Sequence, residues 1–411
     1  MTKRAHPFPV ASFRNLWLAQ FISEFGDGLA NLALLIMVNQ LTGSTAALAT
    51  MAIVLAIPQV TLGLVAGVYV DRFDRKKIML ASDFLRALLV LGFVLVNSAE
   101  NLWLLYGLGF LQSAVGTFFG PARGAVMAHI LPREALLAAN SITQTSRILA
   151  GLLGAAAAGV LIGTFKVYWP AYAIDAATFL VSFLLVLPVR VPRLEPSERP
   201  QSSSVFDSLL AGLQIIGRSH ILLGTLTGAA VMMLGLGAVN VLFVPLLSND
   251  LKVPTSLFGL VQAAETAGMI LAGSLVALLA ARLKPTSMVS LGMMAMGLAV
   301  GLIAGVGRLW HVLGVLFLIS FLVAPVQAGV STLVQTAVTD QARGRVGAAL
   351  GAVIGSANLV SMAFAGVLGA LIGVREVFLV AGGIAVLAGL MALWVFGGGR
   401  KAPRATPEAN L

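Results

Sequence analysis

Two carboxylates stand inside an otherwise apolar stretch, QFISEFGDGLANLALLIMV at residues 20–38. Glu24 and Asp27 recur with Gln20 and Asn31 at helical spacing. At about 100° per residue the four fall within an arc of roughly 60°, one polar stripe along a helix. A charge at the centre of a bilayer costs roughly 2.5–3.5 kcal/mol on insertion scales, so such a stripe must face the protein interior or a water-filled cavity. Carboxyls withdrawn from water exchange protons nearer neutral pH, and two of them one turn apart titrate as a coupled pair. The chemistry on offer is reversible protonation, and with it attraction of a cationic or zwitterionic solute. The competing explanation is structural: both acids bridged to interior arginines, Arg123 or Arg147.

Other polar groups inside apolar stretches extend the candidate set. Glu265 is a lone acid about nine residues from one end of its block and is expected to face a cavity from the second half of the chain. Arg123 follows Pro121, and Arg147 stands in the next block; each is a candidate for contact with a solute or for structural pairing. Asp175 reads as structural. Asp83 and Arg86, at i and i+3, are expected to pair with each other or with the nearby basic loop. Cysteine is absent and the four histidines are scattered, so no metal site, thiol nucleophile or disulfide is expected. No G-x-x-x-x-G-K-[ST] element is present, so no cofactor is expected and energy would come from an ion gradient, H⁺ or Na⁺. A membrane enzyme or a non-transporting receptor has no catalytic cluster or sizeable soluble segment to support it.

The elements that position these groups follow from composition. The 411 residues are 59% hydrophobic and 10% charged, with mean hydropathy +0.98; a soluble protein is about 25% charged. A membrane helix needs about 20 apolar residues. Twelve blocks qualify: 16–41, 46–70, 78–97, 102–131, 137–163, 170–187, 221–247, 256–281, 287–306, 311–336, 346–372 and 377–396. Glu24 then lies about ten residues deep in the first block, roughly 15 Å at 1.5 Å per residue, near the midplane. That block is too long for a signal-peptide core and reads as the first membrane helix.

With the N-terminus inside, 19 of the 26 Lys and Arg fall in inside segments, four in outside loops, and Arg86, Arg123 and Arg147 within blocks. This bias puts both ends in the cytoplasm. It also accounts for the net charge of +10 without nucleic acid. The polar PRLEPSERPQSSS stretch marks residues 188–220 as a linker loop. It separates a six-helix half at 1–187 from another at 221–396, with a tail at 397–411. Weak repetition supports the division. Gly63, Gly67 and Arg72 match Gly273, Ala277 and Arg282, Pro121 matches Pro325, and AGVLIG echoes AGVLGALIG. Two six-helix halves with a midplane site between them is a transporter plan.

The sharpest motif is GVYVDRFDRKK at 67–77. Gly67 suits a close helix approach, Asp71 suits a pairing with arginine or a helix N-terminus, and the cations hold the loop in the cytoplasm. G-x-x-x-D-R-x-x-R-K-K between the second and third of twelve helices resembles the signature loop of the major facilitator superfamily. GVYVDRFDRKKIMLASD, GPARGAV, AIDAATFLVSF, GVSTLVQTAVTDQARGRVGA and FRNLWLAQFISEFGDGLANLALL resemble its macrolide-efflux and enterobactin-exporter branch, over residues 12–396. The resemblance implies an all-α membrane protein of twelve helices in two pseudo-symmetric halves, working by alternating access as a monomer in the bacterial inner membrane. It assigns Gly67, Asp71, Arg72 and Arg75 to a conformational latch, with Asp340 and Arg343 as its partner side. Two positions depart from the family pattern. Gln112 stands where a fourth-helix arginine is common, and RILAGLLGAAAAGVLIG keeps the small residues of the exporter signature in the fifth helix (Gly151, Gly154, Ala155, Ala158, Gly159) without its proline.

The expectation is a proton-coupled exporter of a small amphipathic compound of drug, macrolide or siderophore type. Glu24, Asp27 and Glu265 are the coupling candidates; Gln20, Asn31, Gln112, Arg123 and Arg147 are the cavity candidates. The alternative is a lysophospholipid or other lipid transporter needing no proton gradient, since GDGLA and GPAR also resemble segments of bacterial lysophospholipid transporters. In that reading Arg123 would meet a phosphate. The remaining partners are membrane lipids.

Overall fold

The computed structural model describes residues 7–191 and 205–398. The stretch PRLEPSERPQSSS and the tail beyond residue 398 lie outside the described residues, as do the side chains of Asp71 and Asp340.

Hydrocarbon offers no partner to backbone N–H and C=O groups, so apolar blocks must satisfy them internally as helices. The described residues are helical almost throughout, without strands. In chain order they form α1 (Ala11–Thr42), α2 (Thr45–Thr61), α3 (Gly63–Arg72), α4 (Arg75–Gly92), α5 (Leu102–Ile130), α6 (Arg133–Phe165) and α7 (Trp169–Val186). After the linker come α8 (Val205–Gly217), α9 (His220–Pro245), α10 (Phe258–Arg282), α11 (Pro285–Leu302), α12 (Leu309–Ala337), α13 (Asp340–Leu371) and α14 (Val374–Gly398). Eleven of the described helices are long and apolar enough to cross a membrane. The twelfth crossing is α2 with α3, one apolar stretch interrupted at Leu62, four residues after Pro58; proline removes a backbone donor and breaks the helical ladder.

Local signals set the ends. Gly43 adopts φ +60° and closes α1, a conformation glycine takes without strain. Asp74 of the basic loop caps α4, its carboxylate accepting from the amides of Lys76 (3.0 Å) and Lys77 (3.1 Å).

The repeat detected in the sequence is present in space. The 29-residue α5 and 29-residue α12 each carry an internal proline, Pro121 and Pro325. The 18-residue α4 and α11 each run on into a 3₁₀ turn, Phe93–Leu95 and Ile303–Gly305. In the first half α1 packs on α6 and α7; in the second, α9 packs on α13 and α14. The halves meet through α6 against α10 and α2 against α13, again an equivalent pair.

One element departs from the sequence reading. The expected linker loop ends in a helix, α8. Its Ile216 joins Leu222, Val346 and Leu350 in a small core, and at Gly212 the helix presses on the backbone of Arg345. The polar composition that signalled a loop stops at Ser204; the apolar VFDSLLAGLQIIG that follows needs a surface to cover, and α13 supplies it.

The closest approaches between halves lie at the end of the bundle opposite the basic loops. Gly163 of α6 sits on Ser256, where an added Cβ would come within 2.8 Å. Gly259 faces Ala156, and Gly366 of α13 faces Ala49. Thr45 Oγ1 donates to Gly366 O at 2.9 Å, and Asn39 Nδ2 donates to Asn249 Oδ1 at 3.4 Å.

Candidate functional site

Helix α1 carries the acids through the middle of the first half, and two glycines let it do so. A Cβ at Gly26 would overlap Asp175 and Thr178 of α7; one at Gly28 would overlap the backbone of Gly151 of α6. Helix α1 is therefore wedged between α6 and α7, with Asp27 held at the seam. From α6, Gly154 presses on the Phe25 carbonyl in the same way. The small residues of the α6 segment RILAGLLGAAAAGVLIG thus serve two surfaces, α1 on one side and the opposite half at Gly159 and Gly163 on the other.

Asp27 is ion-paired, though with neither arginine expected from the sequence. Arg86 of α4 donates to its Oδ1 at 2.5 Å and lies 4.1 Å from the centre of the Phe179 ring. Arg86 does not pair with Asp83; the i,i+3 expectation fails because Asp83 faces α7, where Ser182 donates to it at 2.7 Å. Asp83 Oδ1 and Asp175 Oδ2 are buried without hydrogen-bond partners among the described residues. The charges acting on Arg86 come from Asp27, Asp175 and Asp83.

Glu24 lies in different surroundings. It lines both of two adjoining chambers and makes no hydrogen bond or ion pair among the described residues. The bridge to Arg123 or Arg147 weighed in the sequence is not formed, although both arginines are close enough for their charges to act on Glu24. Arg123 and Arg147 also act on each other.

The lower chamber, nearer the basic loops and about 730 Å³, is lined by Gln20, Glu24, Asp27, Asn31, Arg86, Gln112, Arg123 and Arg147 among others. The upper chamber, nearer the closed end and about 530 Å³, takes Glu24, Asp27, Asn31 and Arg147 from the first half and Asn240, Phe243, Phe258, Gln262 and Glu265 from the second. Both volumes suit a small ligand. The expected coupling and cavity residues therefore border these two chambers. Gln20 and Gln112 are nearly buried, and the Gln20 amide and Gln112 Oε1 have no hydrogen-bond partner among the described residues.

The basic-loop residues are placed differently from the expectation. Gly67 makes no close approach: a Cβ added there meets nothing within 4 Å. The halves touch at the opposite end, so this glycine faces open space in the state described. Arg75 lies 3.3 Å from the His129 ring, and Arg343 donates to the Gln335 carbonyl at 2.9 Å. Arg72 is exposed. The side chains of Asp71 and Asp340, the acids of the expected latch, lie outside the described residues.

Sequence reasoning missed the pairing of Arg86 and the contribution of Gln262. A signal for the second existed: Phe258, Val261, Gln262, Glu265, Thr266 and Met269 recur at helical spacing and all line the upper chamber. No comparable signal tied Arg86 to Asp27, which are 59 residues apart.

A family model described as Major Facilitator Superfamily matches residues 16–241 and 225–411. The chain belongs to the major facilitator superfamily. Members similar to it include the uncharacterized MFS-type transporter YfiS of Bacillus subtilis, 32% identical over 392 residues, covering 92% of this chain and 91% of that protein. Macrolide efflux protein A of Streptococcus pyogenes is 25% identical over 377 residues (90% and 92% covered). The enterobactin exporter EntS of Shigella flexneri is 29% identical over 352 residues (84% and 80%). Among solved structures, the fold is shared with the nucleoside transporter NupG: TM-score 0.76, 15% identity, 94% of this chain and 100% of that one. As a superfamily member the chain is a multi-pass membrane transporter, not an enzyme, and its relatives include efflux proteins.

Proposed function

We propose that this transporter exports a small amphipathic compound from the cytoplasm in exchange for protons, by alternating access of the two chambers. The reading rests chiefly on Glu24. It stands at the middle of α1 on the wall common to both chambers, and no cation pairs with it among the described residues, while Asp27 beside it is paired with Arg86. A carboxyl without an ion pair is free to take a proton or a solute. The similarity to macrolide and enterobactin exporters supports the direction of transport. The excess of Lys and Arg in the loops at the α3–α4 end supports placing that end, with both termini, in the cytoplasm of a bacterial inner membrane. The chambers reach toward that end while the halves touch at the other. This arrangement is the one an exporter adopts to load from inside.

The basic-loop residues Gly67, Asp71, Arg72 and Arg75, with Asp340 and Arg343, would then latch the cytoplasmic side when the halves rock. The test uses purified protein in liposomes with an imposed pH gradient and a macrolide or cationic dye as solute. Solute movement should follow the gradient, and solute addition should move protons. Flux that persists unchanged after the gradient is collapsed would refute proton exchange; flux confined to lysophospholipid under those conditions would establish the lipid alternative instead.

A further inference from the structure

The charges along the transport path are unevenly matched. Arg86 answers Asp27, with Asp83 and Asp175 behind it. Glu24 has Arg123 and Arg147 within reach of its charge. Glu265 has neither. It is largely withdrawn from water in the upper chamber, its one hydrogen bond comes from Gln262 Nε2 at 3.1 Å, and no charged side chain acts on it among the described residues.

Its place is fixed by packing. Gly259 presses α10 onto Ala156 of α6, and Gly268 presses it onto the Phe317 backbone of α12. These two contacts set the rotation of α10 and turn Gln262, Glu265 and Met269 toward the chamber. The remaining charges facing that chamber are Glu24, Asp27 and Arg147, all from the first half. The uncharged wall of that chamber is mixed: Phe243, Val261 and Met269 give it apolar surface, and Asn240, Thr266 and Ser320 give it neutral polar groups.

A carboxylate kept from water without a cation is costly. Aromatic faces and a single carboxylate are the two groups that hold an organic ammonium. We propose that Glu265 is a cation subsite: it receives the protonated amine of an amphiphile whose apolar body lies against Phe243, which is only partly buried, while Phe258 backs the wall from the core. The inference rests on the efflux reading and gives its solute a class, an amphiphilic amine.

The chain has no cysteine, so one introduced thiol reports occupancy cleanly. Asn31→Cys places it on the chamber wall. Maleimide labelling of this variant in nanodiscs is followed with three probes sharing one tail: octylammonium, octyl glucoside and octyl sulfate. Octylammonium should protect at a concentration at least roughly tenfold lower than octyl glucoside, a difference of about 1.4 kcal/mol. Adding Glu265→Gln should abolish that preference; adding the charge-conserving Glu265→Asp should keep most of it. Equal protection by the three probes, best protection by octyl sulfate, or a preference that survives Glu265→Gln would each overturn the proposal. The liposome experiment separates the two readings. An octylammonium preference without gradient-driven flux would remove the exchange mechanism and leave the subsite standing; flux without the preference would do the reverse.

Discussion

Replacing Arg86 by methionine tests the charge arrangement of the first half. The guanidinium meets Asp27 at 2.5 Å with the two side chains 13% and 22% exposed, and it lies 4.1 Å from the Phe179 ring centre. Removing one partner of a buried ion pair costs about 3–5 kcal/mol. Partial exposure argues for the lower end, and the lost cation–π contact adds about 1 kcal/mol. Arg86→Met is therefore expected to destabilise the protein by about 4 kcal/mol, leaving Asp27, Asp83 and Asp175 without their common cation. Asp27→Asn should cost far less, about 1 kcal/mol, because the amide still accepts a hydrogen bond and Arg86 keeps Asp83 and Asp175 within reach of its charge. The double variant should be more stable than the sum of the singles implies, by about 2 kcal/mol. The assay is reversible unfolding in mixed micelles titrated with dodecyl sulfate, followed by tryptophan fluorescence. An Arg86→Met protein within about 0.5 kcal/mol of wild type, or an Asp27→Asn protein as damaged as Arg86→Met, would refute the reasoning.

Three further outcomes are expected. Gly154→Ala drives a methyl into the Phe25 carbonyl, so α1 must move; the overpacking should cost about 1–3 kcal/mol in the same unfolding assay. Gly67→Ala meets open space and should leave stability within about 0.5 kcal/mol of wild type, yet slow transport if the basic loop closes as a latch; by initial rates in liposomes the fall should be roughly fivefold, about 1 kcal/mol of barrier. Gly366→Leu forces α13 from Ala49 at the closed end and should raise the labelling rate of Asn31→Cys by an impermeant maleimide from that side, whereas wild-type geometry should protect it.

The architecture was legible in the sequence because its cause is one-dimensional. Each crossing needs its own run of apolar residues, so the twelve blocks could be counted, and α2 with α3 was found as one block despite the break at Leu62. Repeated motifs exposed the pseudo-symmetry for the same reason. Helix α8 was lost because the polar residues before it dominated the reading of the whole linker. The stripe of Gln20, Glu24, Asp27 and Asn31 was legible because a helix maps spacing onto a face, and all four border the lower chamber. The partners of those side chains were not legible. Whether Asp27 meets Arg86, Arg123 or Arg147 depends on how α1 seats between α6 and α7, and that is set by Gly26, Gly28 and Gly154, which the sequence presents only as small residues in a membrane helix. Gly67 carried the opposite error: a motif suited to close packing faces open space here, because the close approaches between the halves lie at the other end of the bundle.

Glu24 as the coupling carboxyl is tested most directly by comparing two transport modes of Glu24→Gln in liposomes. Gradient-driven accumulation requires a proton to bind and leave; counterflow of labelled against unlabelled solute requires only that the chambers alternate. Accumulation is expected to fall to the passive level while counterflow stays within about twofold of wild type, a difference under about 0.5 kcal/mol. Gradient-driven accumulation retained in Glu24→Gln would contradict the assignment.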